Sequence, residues 1–235
     1  TRKNNIIKFN SKNKYVKRGI SFNCSKFNIA FTTKFLNQAG ALVNIYLDGS
    51  VHISTGACEM GNSTTTKISQ VAAFQLGLPV NKIKISATNT SKVSNTSPSA
   101  ASSTTDLNAM AVVDAISNIK KKISFYIKSK YKLKGVVKGV YENGKVKFKG
   151  LKAFNFKSLI NEIYINRVPT FSSGFYKVPK INFNKKKFEG SPFYYFTWGA
   201  CVSEVEVDTL TGETKILRVD AIIDAGRPIN KQLEL

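Results

Sequence analysis

Apolar and polar positions alternate along much of this chain, and twice the period changes from two to about 3.6. In GISFNCSKFNIAFTTKF, the residues Phe22, Phe27, Ile29 and Phe31 alternate with polar neighbours, which predicts a strand. ALVNIYLDGSVHIST predicts a hairpin: Val43, Ile45 and Leu47 share a face, and Val51 and Ile53 return on the second strand. Asp48-Gly49 makes the turn, because glycine tolerates the positive φ that such turns need. In TTTKISQVAAFQLGLP, Ile68, Val71, Ala72 and Leu76 fall on one helical face, and Gly77 and Pro79 end the helix. NKIKISAT reads as a short strand. After a Ser-, Thr- and Asn-rich run, Val112, Ile116, Ile119 and Ile123 mark a second helix.

The rest of the pattern is plainer. YENGKVKF predicts a hairpin around Asn143-Gly144, FKSLINEIYIN a short helix, and TFSSGFYKVPKINFNKKKFEG a loop-rich connector. FYYFTWGACVSEVEVD and KILRVDAIID read as strands on either side of TLTGE. The first 18 residues are basic and polar, and are expected to be extended or poorly ordered. Hairpins, a mixed sheet and two main helices together predict an α+β fold. Residues 1–16 form a basic tail in this reading and residues 17–235 the folded body.

Composition narrows the function. The 42% of hydrophobic residues suits a globular protein. No apolar run approaches a membrane span, and TRKNNIIKFN lacks the apolar core of a signal peptide. The chain begins with Thr1, which suggests a piece of a longer product. Cys24, Cys58 and Cys201 lie far apart, there is no CxxC pair, and His52 is the single histidine, which argues against structural zinc. An odd cysteine count favours a reducing, cytoplasmic compartment. The net charge of +22 raises the question of nucleic acid. However, only five of the 36 basic residues are Arg, and the Lys residues are spread along the chain. Nucleic-acid readers lean on Arg forks and interleaved aromatics, so the composition argues against that role.

Two polar loops run directly into the two main helices. GACEMGNSTTTK, from Gly56 to Lys67, leads into the first, and NTSPSAASSTTDL leads into the second. A helix start leaves backbone N–H groups unpaired and carries partial positive charge, so two such starts could cradle a phosphate. Gly61, Ala100 and Ala101 would allow close approach, and Ser102, Ser103, Thr104 and Thr105 would add hydroxyls. The alternative is that Ser63 and Ser102 simply cap the helices.

The same stretches carry a resemblance. FNIAFTTKFLNQAGALVNIYLDGSVHISTGACEMGNSTTTK and NTSPSAASSTTDLN resemble the molybdenum-hydroxylase family of xanthine dehydrogenase and aldehyde oxidase, nearest to its xanthine dehydrogenase branch. GFYKVP, PFYYFTWGACVSEVEVDTLTGE and DAGRPIN follow as later landmarks in order. The resemblance runs from Lys17 to Leu235 and is weakest over residues 130–167. It implies a partial molybdopterin-binding domain. Phe31 matches the aromatic that packs on a flat substrate ring, and Thr32 follows it in the site. Met60, Gly61 and Asn62 match the loop that reaches the pterin and the metal's ligands, and Lys67 matches a lysine one turn into the helix. Ala100, Ala101, Ser102, Ser103, Thr104 and Thr105 match the loop that holds the pterin and its phosphate. No residue of the chain is implied as a direct metal ligand, because the pterin holds the molybdenum.

The family oxidises purines toward urate with a glutamate as general base, and its electrons leave through 2Fe-2S clusters and FAD. Asn62 stands where the family usually has Gln, one methylene longer. Glu59 matches a family glutamate that is not the base. Segments resembling GGFGGKE and GEPP, the latter holding the base, do not occur in these residues. The expectation is therefore an interior portion of a molybdenum-binding subunit, inactive alone, partnered by the rest of that subunit and by iron–sulfur and FAD domains. An aldehyde oxidase-like enzyme, or a basic remnant that binds nucleic acid, are the rival readings.

Overall fold

The computed structural model describes residues 1–93 and 95–233. In chain order its elements are α1 (Arg2–Lys12), β1 (Val16–Asn28), β2 (Gln38–Ile45), β3 (Val51–Thr55), α2 (Thr64–Leu76), β4 (Ile83–Ile85) and α3 (Thr104–Lys130). Then follow β5 (Gly139–Glu142), β6 (Lys145–Phe148), β7 (Phe154–Asn155), α4 (Phe156–Ile165), β8 (Phe171–Lys177), β9 (Asn182–Asn184), β10 (Glu189–Ser191), β11 (Phe196–Asp208) and β12 (Thr214–Asp224). The fold is α+β, as the pattern predicts. The chain forms two compact units, one of Thr1–Ile29 with Tyr195–Pro228, the other of Ala30–Tyr194 with the segment that starts at Ile229.

The larger unit is built on a four-stranded sheet in the order β4-β3-β2-β8. β2 pairs antiparallel with β3 and with β8, and β3 pairs parallel with β4. A parallel pair needs a crossover, and α2 supplies it. The alternation in β2 is real: Ala39, Ala41, Val43 and Ile45 are buried at every second position. They face a core filled by Ile68, Ala72 and Leu76 from α2 and by Val112, Ile116, Ile119 and Ile123 from α3. Gly77 closes α2 at φ 62°, the left-handed cap expected there. The Asp48-Gly49 turn forms as predicted, with Gly49 at φ 82° and Asp48 accepting from Ser50 N at 2.9 Å. A second hairpin (β5, β6) turns at Asn143-Gly144, and α4 packs Leu159, Ile160 and Ile163 into the same core.

The connector after Val168 is more ordered than its composition suggests. Its first part is β8, paired with β2 over seven residues, and β9 and β10 form a short hairpin. The reason is a close approach: a Cβ on Gly174 would lie 2.2 Å from Ala111 O and 2.4 Å from Ala115 N. The glycine that weakens the local strand signal is what lets β8 lie directly on α3.

In the smaller unit β11 pairs with β1 through thirteen consecutive residues and with β12 across a bulge at Glu204/Val205. The expectation of an extended or disordered start is corrected here, because residues 2–12 are helical. The sequence of α1 is polar, so docking rather than local propensity holds it. Asn10 Oδ1 accepts from Arg18 N at 2.7 Å and Asn10 Nδ2 donates to Arg18 O at 2.8 Å. The Arg18 guanidinium lies 3.8 Å from the Phe9 ring centre, and Arg2 pairs with Glu204. The predicted strand also ends sooner than its alternation implies. β1 stops at Asn28, so Phe31 belongs to the irregular segment that opens the larger unit.

Among the described residues, no helix is long and apolar enough to cross a membrane.

Candidate functional site

Three loops of the larger unit meet at the starts of α2 and α3. The first runs from Ala30 to Gln38, the second from Gly56 to Ser63, and the third from Asn95 to Ser103. Backbone groups tie them together. Ala30 N donates to Ala101 O at 3.3 Å, and Ser97 N donates to Gln38 O at 3.2 Å. Cys58 N donates to Ser99 Oγ at 2.8 Å. The two helices touch just below, where Thr105 Oγ1 donates to Thr64 Oγ1 at 3.4 Å. Gly56 permits the meeting of the second and third loops, since a Cβ there would lie 2.2 Å from Thr96 Cγ2 and 2.6 Å from Thr96 Oγ1.

The predicted residues are thus brought to one region of the fold. Thr32, Met60, Gly61, Asn62, Ala100 and Ser102 are exposed, while Phe31, Ala101 and Thr105 are half-buried. Ser103 and Thr104 are buried, so they shape the third loop from beneath. Asn62 turns its side chain inward on its own loop, its Oδ1 accepting from Met60 N at 3.5 Å.

Neither helix is capped as the Ser-cap reading supposes. The N-cap of α2 is Ser63 at φ 56°, and its side chain makes no capping bond. Glu59 does that work. Its Oε1 accepts from Gly61 N and Ser63 N at 3.0 Å each, and its Oε2 accepts from Thr65 N at 3.0 Å. These N–H donors, led by Thr65's, hold the Glu59 carboxyl below the usual carboxylate range. The N-cap of α3 is Ser103, one residue beyond the expected Ser102, and it too makes no capping bond. Its hydroxyl donates instead to Ala100 O at 2.9 Å. Asp106 lies in the first turn of α3.

This changes the picture of two equal cradles. The start of α2 is closed by the Glu59 carboxylate of its own loop, whereas at α3 the N-cap hydroxyl turns back to Ala100 O and the acidic residue, Asp106, sits within the first turn. Sequence patterning missed Glu59's role, although an acidic residue just before a helix is a known signal. It also missed Asn37, whose side chain bonds the backbone of Phe31.

The third loop has the features of a site shaped for a polar ligand. Ala101 and Ser102 sit at φ 54° and 53°, and Ala30 at φ 115°. Such conformations cost about 1–3 kcal/mol each and persist where the surroundings enforce them, often at functional sites. Thr96 Oγ1 and Ser97 Oγ are buried and have no hydrogen-bond partner among the described residues. An orphaned buried hydroxyl is costly unless a ligand or water satisfies it. Beside Gly61 nothing lies within 4 Å of where a Cβ would stand. Orphaned hydroxyls and an open backbone edge are features that a polar group such as a pterin phosphate would suit. Among the described residues no three His, Cys, Asp or Glu side chains are grouped to hold a metal.

Comparison with known proteins identifies the family. The molybdopterin cofactor-binding domain family matches residues 1–234. Xanthine dehydrogenase of Oryza sativa subsp. japonica is 40% identical over 230 residues, covering 98% of this chain and 15% of the relative. Xanthine dehydrogenase/oxidase of Gallus gallus is 40% identical over 234 residues, covering 100% of this chain and 16% of the relative. The chain therefore spans about one sixth of the curated relatives that it matches. Among solved structures, quinoline 2-oxidoreductase of Pseudomonas putida 86 superposes with a TM-score of 0.78 at 18% identity, covering 99% of this chain and 30% of that one. The aldehyde oxidoreductase of Desulfovibrio desulfuricans gives 0.74 at 19% identity, covering 98% and 22%. At these identities the two structures speak to the fold alone. With a match along essentially its whole length and three loops gathered at two helix starts, the chain belongs to the molybdopterin cofactor-binding domain family.

Proposed function

We propose that this chain is the pterin-cradling portion of a xanthine dehydrogenase-like purine hydroxylase. The observation that carries the reading is the convergence of the Phe31, Gly61 and Ser102 loops through the Ala30–Ala101, Ser97–Gln38 and Cys58–Ser99 hydrogen bonds. The loops that meet are the ones whose motifs resemble the family, and the relatives at about 40% identity are named as xanthine dehydrogenases.

In this reading each loop has its own task. Ala100, Ala101, Ser102 and Thr105 line the side toward the pterin and its phosphate, with Ser103 and Thr104 supporting them. Met60, Gly61 and Asn62 close over the cofactor from the second loop. Phe31 offers a flat aromatic face to a planar purine, and Thr32 stands exposed beside it. When bound, the molybdenum–pterin group supplies the two-electron oxidation of the substrate carbon. The chain's residues bind, orient and exclude water. Glu59 takes no part in proton transfer, because its carboxylate is committed to three backbone N–H groups. The general base lies on another segment of the subunit, and 2Fe-2S and FAD segments take up the electrons. This chain alone is inactive.

The test is made on the full-length enzyme that carries this chain. Molybdenum and pterin content are measured for the parent, Ser102→Ala and Ser102→Asp. The carboxylate of Ser102→Asp opposes an anionic ligand, and occupancy is expected to fall about tenfold, with a smaller fall for Ser102→Ala. Unchanged occupancy in Ser102→Asp overturns the loop's assignment. Turnover of hypoxanthine in preference to a simple aldehyde supports the purine reading, and the reverse preference replaces it with the aldehyde one.

A further inference from the structure

Asn37 is buried to 2% exposure, and both polar atoms of its side chain bond the backbone of Phe31. Its Oδ1 accepts from Phe31 N at 2.8 Å, and its Nδ2 donates to Phe31 O at 2.8 Å and to Thr33 O at 3.4 Å. A primary amide carries an acceptor and a donor side by side, so it can pair with both peptide groups of one residue as a neighbouring strand would. Phe31 lies outside any sheet, and Asn37 stands in for the missing strand. Asp would keep the acceptor and lose the donor.

Asn37 is itself anchored. Its N–H donates to Lys34 O at 3.1 Å, and its carbonyl accepts from Val178 N at 3.0 Å. The next residue begins β2, in the core sheet. On the other side of Phe31, Ala30 is 3% exposed and is bonded to Ala101 of the third loop. The Phe31 peptide is thus gripped between the core sheet and the third loop, while its ring stays half-exposed.

We infer that Asn37 is a positioning residue that sets the orientation of the Phe31 ring for planar substrates. The inference rests on the proposal that Phe31 stacks on the substrate. Asn37 acts through Phe31, since its burial keeps it from the ligand. Stacking is sensitive to the offset and tilt of the ring, and an aromatic pair is worth about 0.5–1.5 kcal/mol only in the right geometry. A misplacement of about 1 Å can cost an enzyme up to two orders of magnitude.

The experiment is a double-mutant cycle in the full-length, cofactor-loaded enzyme. It compares the parent with Asn37→Ala, Phe31→Ala and the pair combined. The readouts are calorimetric affinity for urate, the product that turnover does not consume, the KM and kcat for hypoxanthine, and molybdenum content. Asn37→Ala is expected to weaken urate binding about tenfold and to raise KM more than it lowers kcat. In the Phe31→Ala background it is expected to add nothing, and molybdenum content is expected to stay within about twofold in every variant. If Asn37→Ala fails to fold, Asn37→Asp enters the same cycle, with a smaller loss expected because the bond from Phe31 N survives.

The outcomes separate the two claims. If Phe31→Ala weakens urate and Asn37→Ala does not, the role of Asn37 is overturned and the stacking reading stands. If Phe31→Ala leaves affinity unchanged, the stacking reading falls and takes this inference with it. Additive losses, or a matching drop in molybdenum, make Asn37 a general scaffold residue and overturn the inference.

Discussion

The starts of α2 and α3 are similar in sequence and different in electrostatics. Both follow loops rich in Ser and Thr, both begin with consecutive threonines, and both have a serine at the N-cap. At α2 a carboxylate from the same loop takes three backbone N–H groups. At α3 the N-cap hydroxyl turns back to Ala100 O, while left-handed backbone occurs before both helices, at Gly61 and Ser63 and at Ala101 and Ser102. One start is finished by the chain itself. The other has its acidic residue, Asp106, inside the first turn of the helix. Hydroxyl-rich composition alone therefore does not distinguish the two starts; where each one's carboxylate goes does.

The contrast can be broken most strongly at the joint between the loops. Gly56→Val places atoms where Thr96 already stands, so the second and third loops must part. Overpacking of this kind costs about 1–3 kcal/mol, and molybdenum retention in the full-length enzyme is expected to fall about tenfold or more. Melting temperature and metal content, measured together, check it. Glu59→Ala acts on the finished start only. It leaves three N–H groups without their acceptor and is expected to lower Tm by about 2–4 °C, while metal content changes little. A loss of metal equal to that of Gly56→Val would erase the distinction between the two starts.

A pH series sharpens the same point. The folded Glu59 carboxyl titrates below its ordinary value of 4.5, because backbone donors favour the charged form. A depressed carboxylate contributes stability that is fully present above the unfolded value and is lost as pH falls through the folded one. Melts are expected to show this contribution intact at neutral pH and fading below about pH 4.5. The Glu59→Gln protein should lack that step in its difference curve; an identical acid profile would remove Glu59 from the cap. The smallest effect is expected for Asn62→Gln. The longer amide can reach past its own loop, and turnover in the full enzyme should rise by about two- to threefold, since one hydrogen bond nets about 1 kcal/mol or less. No rise in single-turnover rate would count against a shortfall in reach at Asn62.

Much of the fold was legible because its signals are local. The Asp48-Gly49 turn, the Gly77 stop and the apolar stripe of Val112, Ile116, Ile119 and Ile123 all appear as expected. The errors lie where distant residues decide. α1 reads as a polar tail until Arg18 and Glu204 are in place to receive it. β8 reads as loop because Gly174 looks like a breaker until α3 is laid against it. Phe31 extends the alternation of β1 but is claimed by Asn37, six residues on. Motif resemblance also named, through Ser102 and Gly61, loops that the structure brings together. It did not separate exposed Ser102 from buried Ser103 and Thr104, nor assign the cap to Glu59, because neighbouring small polar residues carry the same local signal and differ only in what packs on them.

The grip of Ser97 on Gln38, of Ala101 on Ala30 and of Ser99 on Cys58 has a consequence in time as well as in space. Each bond joins residues separated by some forty to seventy positions. Contacts of such long range form only after the entropy of closing the intervening chain has been overcome, so they follow the β2–β3 hairpin and the helices in any folding sequence. The pairing of β2 with β8, whose partners lie more than 120 positions apart, is of longer range still, so the joined loops belong with the non-local contacts of the larger unit rather than with its local hairpin and helices. A ligand that touched all three loops would therefore bind only molecules in which these distant segments have already come together, and would stabilise that arrangement by mass action.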